Sequence, residues 1–266
     1  MSISSEDILY KYRNWTSIYH KQVLTKNQLY LASPKDINDP FDCRVPINYA
    51  LLDTEKKKKN YAKRIIESAD SSFFKNTTPE EVIKKIIWEL NFNKDEFQKK
   101  NNEIHFNGQD KHLGVLSLSK KWDSILMWSH YADMHIGYCV GFWRKKLDES
   151  GLFGSGGWVE YPIDDNYPVI NPLDEDEPKS ILKETQFKAY DWNYEDEYRF
   201  TKFVFPNELD RIVNIPDDFF AEIILGLKIP EKDREEIIET AKSKKIKIFQ
   251  IEQVPFKFLL IRKEIK

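Results

Sequence analysis

Thiols are scarce in this chain, where Cys43 and Cys139 are the only cysteines among 266 residues. Two thiols cannot build the dense disulfide framework of a small secreted domain, so two free cysteines are expected. An excess of charge is missing as well. Lys and Arg number 41 against 44 Asp and Glu, and the formal net charge of -3 leaves only local basic patches as an argument for nucleic-acid binding. No stretch approaches the ~18 consecutive apolar residues of a membrane-spanning helix. The opening MSISSEDILYKYR has no apolar centre of the signal-peptide kind. A soluble cytoplasmic protein with no membrane association is the expectation. Glycines at 151, 154, 156 and 157 make SGLFGSGGW a flexible-loop candidate. It lacks the flanking strand, spacing and helix of a dinucleotide fingerprint. No internal repeat is evident.

What the chain does have is a 41% hydrophobic, 14% aromatic composition that can fill a sizeable core. Its densest chemistry lies in LGVLSLSKKWDSILMWSHYADMHIGYCVGF, residues 113 to 142. Val115 to Ser119 alternates apolar and hydroxyl side chains with the period of a half-buried strand, and Tyr138 to Phe142 reads as a second strand. Between them Asp123 is placed to cap a helix whose apolar surface includes Ile125, Leu126, Trp128, Tyr131 and Ala132, with Gly137 as its stop. Ser119, Trp128, His130, Tyr131 and His135 thus sit on or beside one supersecondary unit.

Around that unit, Leu9 to Tyr12 and Leu29 to Ala32 are strand candidates, with a helix over Trp15 to Leu24. SPKDINDPFD, residues 33 to 42, has two prolines that fix the backbone, so it reads as a shaped loop. Asn38, Asp39 and Asp42 either satisfy their own turn or stand at the rim of a cleft. Residues 55 to 109 are rich in Lys, Glu and Asn. They carry a capping box, Thr78-Pro79-Glu80-Glu81, ahead of an apolar stripe at 83, 86, 87 and 90. The stretch reads as a helical insertion or lid within a single domain spanning 1 to 266.

Downstream, WVEYPI reads as a strand and NPLDEDEPK as an exposed acidic loop, while ILKETQFKA is helical or extended. A strand from Tyr194 onward would put Glu195 and Glu197 on one face. There they can share a cation, orient a hydroxyl or raise one another's proton affinity, or else pair with Lys or Arg of a neighbouring strand. PDDFFAEIILG reads as a short helix entering a strand and PEKDREEIIETAKSKK as a polar helix, with last strands at Ile246 to Ile251 and Phe256 to Ile261. Strands without regular strand and long-helix alternation favour α+β, with a mixed or antiparallel sheet.

The combination of NDPFD at 38 to 42, MWSHYA at 127 to 132, His135 with Gly137, and YEDEYR at 194 to 199 resembles the bacterial DUF2971 family, named as having no known function. The likeness runs from Leu9 to about Leu227 and implies a shared fold and cleft. More distantly, strand KYR, then LSLSK with its helix, then YEDEYR resembles the layout of ADP-ribosyltransferases. Their NAD-binding clefts use an early polar strand residue, a later hydroxyl or aromatic residue, and a late glutamate. Here Lys11 or Arg13 takes the early place, in lieu of the histidine of better-known branches, followed by Ser119 with Tyr131, and Glu195 or Glu197.

That resemblance implies NAD between the Tyr12 and Ser33 region and the central unit, Trp128 or Tyr131 stacking on a ring, and Lys11 or Arg13 against the diphosphate. The acceptor would be a protein or a nucleic acid. Arg199 completes the candidate ligand-binding set. Metal-assisted phosphoester hydrolysis is an alternative, with His130, His135, Asp39, Asp42, Glu195 and Glu197 as suitable ligand types. The two histidines, however, stand about 140° apart on a helix, unlike the same-face pair of HExxH. A third reading is a noncatalytic ligand sensor or protein-interaction module in a bacterial response pathway, phage defence included.

Overall fold

Alternation along strand β1 (Ile8–Arg13) divides its side chains between two cores. Leu9 enters one apolar cluster, while Ile8, Tyr10 and Tyr12 enter another. This period of two is what a strand covered on both faces requires. The structure is a computed structural model and describes residues 8–70, 74, 76–163, 167–174, 184–205 and 211–265. In chain order α1 (Ile18–Thr25) and β2 (Gln28–Tyr30) follow β1, and then come α2 (Glu55–Ser68), α3 (Pro79–Phe92) and α4 (Lys94–His112). Strand β3 (Leu113–Ser119), α5 (Ile125–Tyr131), β4 (Tyr138–Trp143), α6 (Arg144–Glu149) and β5 (Ser155–Trp158) form the middle. The rest is β6 (Glu197–Phe203), β7 (Ile212–Asn214), β8 (Phe220–Leu225), α7 (Glu231–Ser243), β9 (Lys247–Gln253) and β10 (Leu260–Glu264).

Eight strands form one sheet in the order β10-β9-β8-β4-β1-β3-β6-β5, and β2 pairs with β7 apart from it. The β8–β9 pair is parallel and the other strand pairs are antiparallel, so the fold is α+β with a mixed, mostly antiparallel sheet. Val23 and Leu24 of α1, Leu147 of α6, and Ile237 and Ala241 of α7 pack into the cluster on the Leu9 face. Met127 and Trp128 of α5 pack on the other. Helices α2 to α4 hold a smaller core of their own, in which Tyr49, Tyr61 and Phe97 meet edge to face.

Several boundaries differ from the sequence reading. Thr78 and Glu81 form the expected reciprocal capping box on α3, but the cap of α5 is Ser124, whose side chain accepts from Met127 N, rather than Asp123. Nor does Gly137 stop that helix. It ends in three successive left-handed residues, Asp133, Met134 and His135, with φ of 50°, 53° and 70°. Such a run is costly for side chains bearing a Cβ. It is held by His135 N donating to Trp128 O at 3.1 Å and Gly137 N donating to Ala132 O at 2.8 Å. Gly137 has a different task, since a Cβ there would lie 2.1 Å from the carbonyl oxygen of Arg13.

The first half of the glycine-rich loop candidate bends as expected, but its second half is strand β5 (Ser155–Trp158), which ends where WVEYPI was expected to begin. Small residues are required there. A Cβ on Gly156 would press on the Tyr198 ring, and one on Gly157 would meet Gln186 Nε2 at 1.9 Å. At the far end, Phe256 and Phe258 lie in an exposed turn, and the last strand starts only at Leu260. Most of NPLDEDEPK and the start of ILKETQFKA, residues 175 to 183, lie outside the described residues.

Candidate functional site

The sheet is split between β1 and β3. Six consecutive Cα pairs join β1 to β4 and seven join β3 to β6, whereas Tyr10 and Ser119 are the one register pair between β1 and β3. A cavity of about 520 Å³ occupies the opening. Its walls include the consecutive residues Tyr10, Lys11, Tyr12 and Arg13 and the consecutive residues Ser117, Leu118 and Ser119. A cavity resting on one sheet face would meet alternate residues only. Contact with successive ones means that it enters the gap itself. Lys11 reaches across, its Nζ donating to the Ser117 carbonyl at 2.6 Å.

Five charged groups stand together at the β6 side. Arg199 is wholly buried and forks twice, donating to both oxygens of Asp42 at 2.7 and 2.6 Å and to both oxygens of Glu197 at 2.6 and 2.9 Å. It also donates to the Thr185 carbonyl at 2.6 Å. Lys188 Nζ lies 2.5 Å from Glu195 and 3.5 Å from both Asp42 and Glu197. Three carboxylates face two cations, so one negative charge is in surplus within this group. Burial opposes ionisation of Glu197, but Arg199 and Lys188 overcome it and hold its carboxyl down at about 2. Glu195 shifts the other way: burial, with the neighbouring Glu197 charge, raises its proton affinity despite Lys188. Proton affinity is thus raised at Glu195 and lowered at Glu197, two residues away.

Glu195 does not lie on a strand. It closes a 3₁₀ turn, Tyr190–Glu195, and the left-handed Asp196 (φ 44°, ψ 59°) separates it from Glu197 at the first position of β6. Aspartate tolerates that conformation better than most residues. The corner nevertheless leaves both glutamates on the cavity wall. Ser119 fixes it, its Oγ donating to the Glu195 carbonyl at 2.5 Å and accepting from Lys121 N at 3.0 Å. Tyr131 donates to Glu195 Oε1 at 2.6 Å, and Asn38 Nδ2 donates to the Tyr131 hydroxyl at 3.4 Å. Asn38, Tyr131 and Glu195, from three motifs distant in sequence, are therefore joined in one chain of hydrogen bonds.

Ten of the fourteen residues proposed from the sequence line this cavity, namely Lys11, Tyr12, Arg13, Asn38, Asp42, Ser119, His130, Tyr131, Glu195 and Glu197. Arg199 stands behind the wall in its ion pairs. Asp39 serves its own turn, with Phe41 N donating to its Oδ1 at 2.9 Å. Trp128 is a core residue, fully buried edge-on to Tyr12 with its Nε1 donating to the Trp122 carbonyl at 2.8 Å. His135 stacks on Trp128 away from the cavity. His130 instead meets the Tyr194 hydroxyl at 3.4 Å, so the two histidines do not converge.

Lys188 went unnoticed in the sequence. A single lysine between Phe187 and Ala189 carries no motif, and only the fold brings it to the carboxylates. Its ammonium takes the position of the cation they share; among the described residues no three His, Cys, Asp or Glu side chains are grouped to hold a metal ion. Ser117, Asp36 and His20 also line the cavity without having been singled out.

Burial lowers the proton affinity of Lys11 well below that of a free lysine, and nearby Arg13 lowers it further, with Glu197 and Glu195 acting in opposition. Burial likewise brings the Arg13 guanidinium down to about 10. Among the described residues its buried Nε has no partner, and its Nη1 donates to the Tyr12 carbonyl at 3.3 Å. One wall thus bears two basic side chains whose charge burial disfavours, and the other a carboxylate of raised proton affinity.

Residues 127–200, from within α5 to the middle of β6, match the family model described as Protein of unknown function (DUF2971). That span holds Tyr131, Lys188, Glu195, Glu197 and Arg199, the β6 side of the cleft, and stops short of β1. No match to the chain is found among curated proteins or among solved structures. No helix among the described residues is long and apolar enough to cross a membrane.

Proposed function

We propose that the cleft between β1 and β3 binds NAD as a substrate, and that the protein transfers the ADP-ribosyl group to a protein or nucleic-acid acceptor. The observation that carries this reading is the pairing, in one cavity, of the protonatable Glu195 with the poorly neutralised Lys11 and Arg13. NAD makes both demands. Its diphosphate needs cations, and its nicotinamide-bearing ribosyl carbon turns positive as the leaving group departs. The cavity volume of about 520 Å³ falls within the range of small-ligand sites.

In this scheme the bond between C1′ and the nicotinamide nitrogen breaks, its electron pair leaving with nicotinamide, and a bond forms between C1′ and the acceptor nucleophile. The acceptor's proton passes to Glu195 and then to water. Glu195 acts first as a fixed negative charge beside C1′ and then as the base. Tyr131 and Lys188 hold it in place, so little reorganisation accompanies the charge separation. Glu197, locked on Arg199, positions the corner and stays ionised. His130 and Tyr194, at the cavity edge, face the acceptor. Residues 1–266 act as one domain in this scheme, with 55–109 as its helical insertion or lid.

Nicotinamide release tests the reading. Purified full-length protein is incubated with NAD and a panel of protein and nucleic-acid acceptors, against an NAD-only blank. Time-dependent release, reduced about 10²–10³-fold in Glu195→Gln, is expected from the typical worth of one such electrostatic group. Neither binding nor release across the panel would contradict it, and binding without release would favour the ligand-sensor reading.

A further inference from the structure

A second cavity, of about 660 Å³, adjoins the first and shares Arg13, His20 and Tyr30 with it as a common wall. Its other walls come from α1, β2 and Ile212, and its polar groups differ in kind from those of the first. Asp36, Asp42, Glu195 and Glu197 line the first cavity; among the described residues no acidic side chain lines the second. Instead it presents Arg13 and Lys26, the amides of Gln22 and Gln28, and the phenol rings of Tyr19 and Tyr30.

Among the described residues nothing neutralises the positive charge here. Neither Arg13 nor Lys26 makes an ion pair among the described residues, and Arg13 Nε is buried without a partner. His20 registers the same field. Burial, then the charges of Arg13 and Lys11, lower its pKa to about 4, so its ring stays neutral. A half-buried guanidinium with no described acid beside it is unfavourable in the empty protein and becomes favourable when an anion arrives. Two rings are also presented to the space, Tyr19 being 77% exposed and Tyr30 45%. Exposed aromatic rings next to cations are what a nucleobase with its phosphate recognises.

We infer that the second cavity is a nucleotide subsite, with a phosphate at Arg13 on the shared wall, a base stacked on Tyr19 and Tyr30, and the two glutamine amides at the base edge. The chemistry is that of a nucleoside phosphate. Its source is either a free nucleotide, including the adenylate half of a dinucleotide that reaches into the first cavity, or one nucleotide of a single strand. The assignment concerns where a ligand sits and stands whether or not ribosyl transfer occurs.

Titration calorimetry of the full chain with AMP, ADP-ribose and a deoxyadenylate hexamer tests it. At least one probe should bind, and Tyr19→Ala and Lys26→Glu should each weaken it 10-fold or more with unchanged thermal midpoints. Lys232→Glu, the same charge reversal on exposed α7, should bind as the wild type does. Hexamer binding that is tighter than AMP and falls steeply with salt identifies a strand; AMP or ADP-ribose binding at least as tight identifies a free nucleotide. Failure of all three probes, or wild-type affinity in both variants, overturns the inference. AMP binding without nicotinamide release leaves the subsite standing and removes the transferase reading. Nicotinamide release that both variants leave untouched, with their AMP affinity also unchanged, does the reverse.

Discussion

Lys188 Nζ lies 2.5 Å from Glu195 Oε2, and both side chains are about 5% exposed or less. Two opposite charges so well removed from water depend on each other, because whichever is left alone keeps its desolvation cost without its partner. Lys188→Met should therefore destabilise the protein by about 3–5 kcal/mol while Glu195 remains ionised, and by less as Glu195 takes up a proton. Adding Glu195→Gln to Lys188→Met should recover part of the loss. Chemical denaturation of the two single variants and the double variant measures the coupling. Strictly additive effects would mean that the contact has no energetic weight.

Glu197 predicts an acid limb of stability. Its carboxyl is held at about 2, against 4.5 when unperturbed, so it releases its proton more readily folded than unfolded. The stability it contributes is complete above about 4.5 and is lost as pH falls toward 2. Glu195 has the opposite sign. Its raised proton affinity contributes stability below the unfolded value, which is lost as pH rises through its folded one. Urea midpoints at pH 7, 4.5 and 3 should fall more steeply between the last two in the wild type than in Glu197→Gln. Identical slopes would count against the Glu197–Arg199 pairing as the cause.

Two glycines separate backbone approach from helix propensity. Gly137→Ala sets a Cβ 2.1 Å from the Arg13 carbonyl oxygen, and only displacement of β1 or its neighbour can relieve that contact. It should cost about 1–3 kcal/mol, as overpacking does, and it should weaken nucleotide binding because Arg13 moves with β1. Gly108 lies within α4, where a Cβ meets nothing within 4 Å. Gly108→Ala should instead stabilise by roughly 0.5–1 kcal/mol with binding unchanged. Thermal melts and titrations on both variants check the contrast.

Much of this was legible in the residues, for local reasons. Alternation set out β3, short apolar and aromatic runs set out β1 and β4, and Thr78 with Glu81 announced a helix start, because each rests on contacts between near neighbours. The convergence of Asn38, Tyr131 and Glu195 could be anticipated from polar groups at element ends, but not its geometry. The left-handed Asp196 between the glutamates breaks the strand pattern that YEDEYR suggests. Lys188 and the single-pair contact between β1 and β3 are products of tertiary packing, as is strand β5, whose glycines fit beneath Tyr198 and Gln186. Trp128 shows the converse error, where an aromatic residue beside reactive ones packs the core instead of a ligand, and half-buried His135 stacks on it.

The most direct test of the cleft is a crystal structure of the Glu195→Gln variant grown with NAD, since that change keeps the shape of the site while removing the charge proposed to drive turnover. Intact NAD is expected in the gap between β1 and β3, its nicotinamide-bearing ribose against residue 195 and its diphosphate on Arg13. NAD bound on another surface, or a cleft that stays closed to it at saturating concentration while the protein remains folded, would contradict the account.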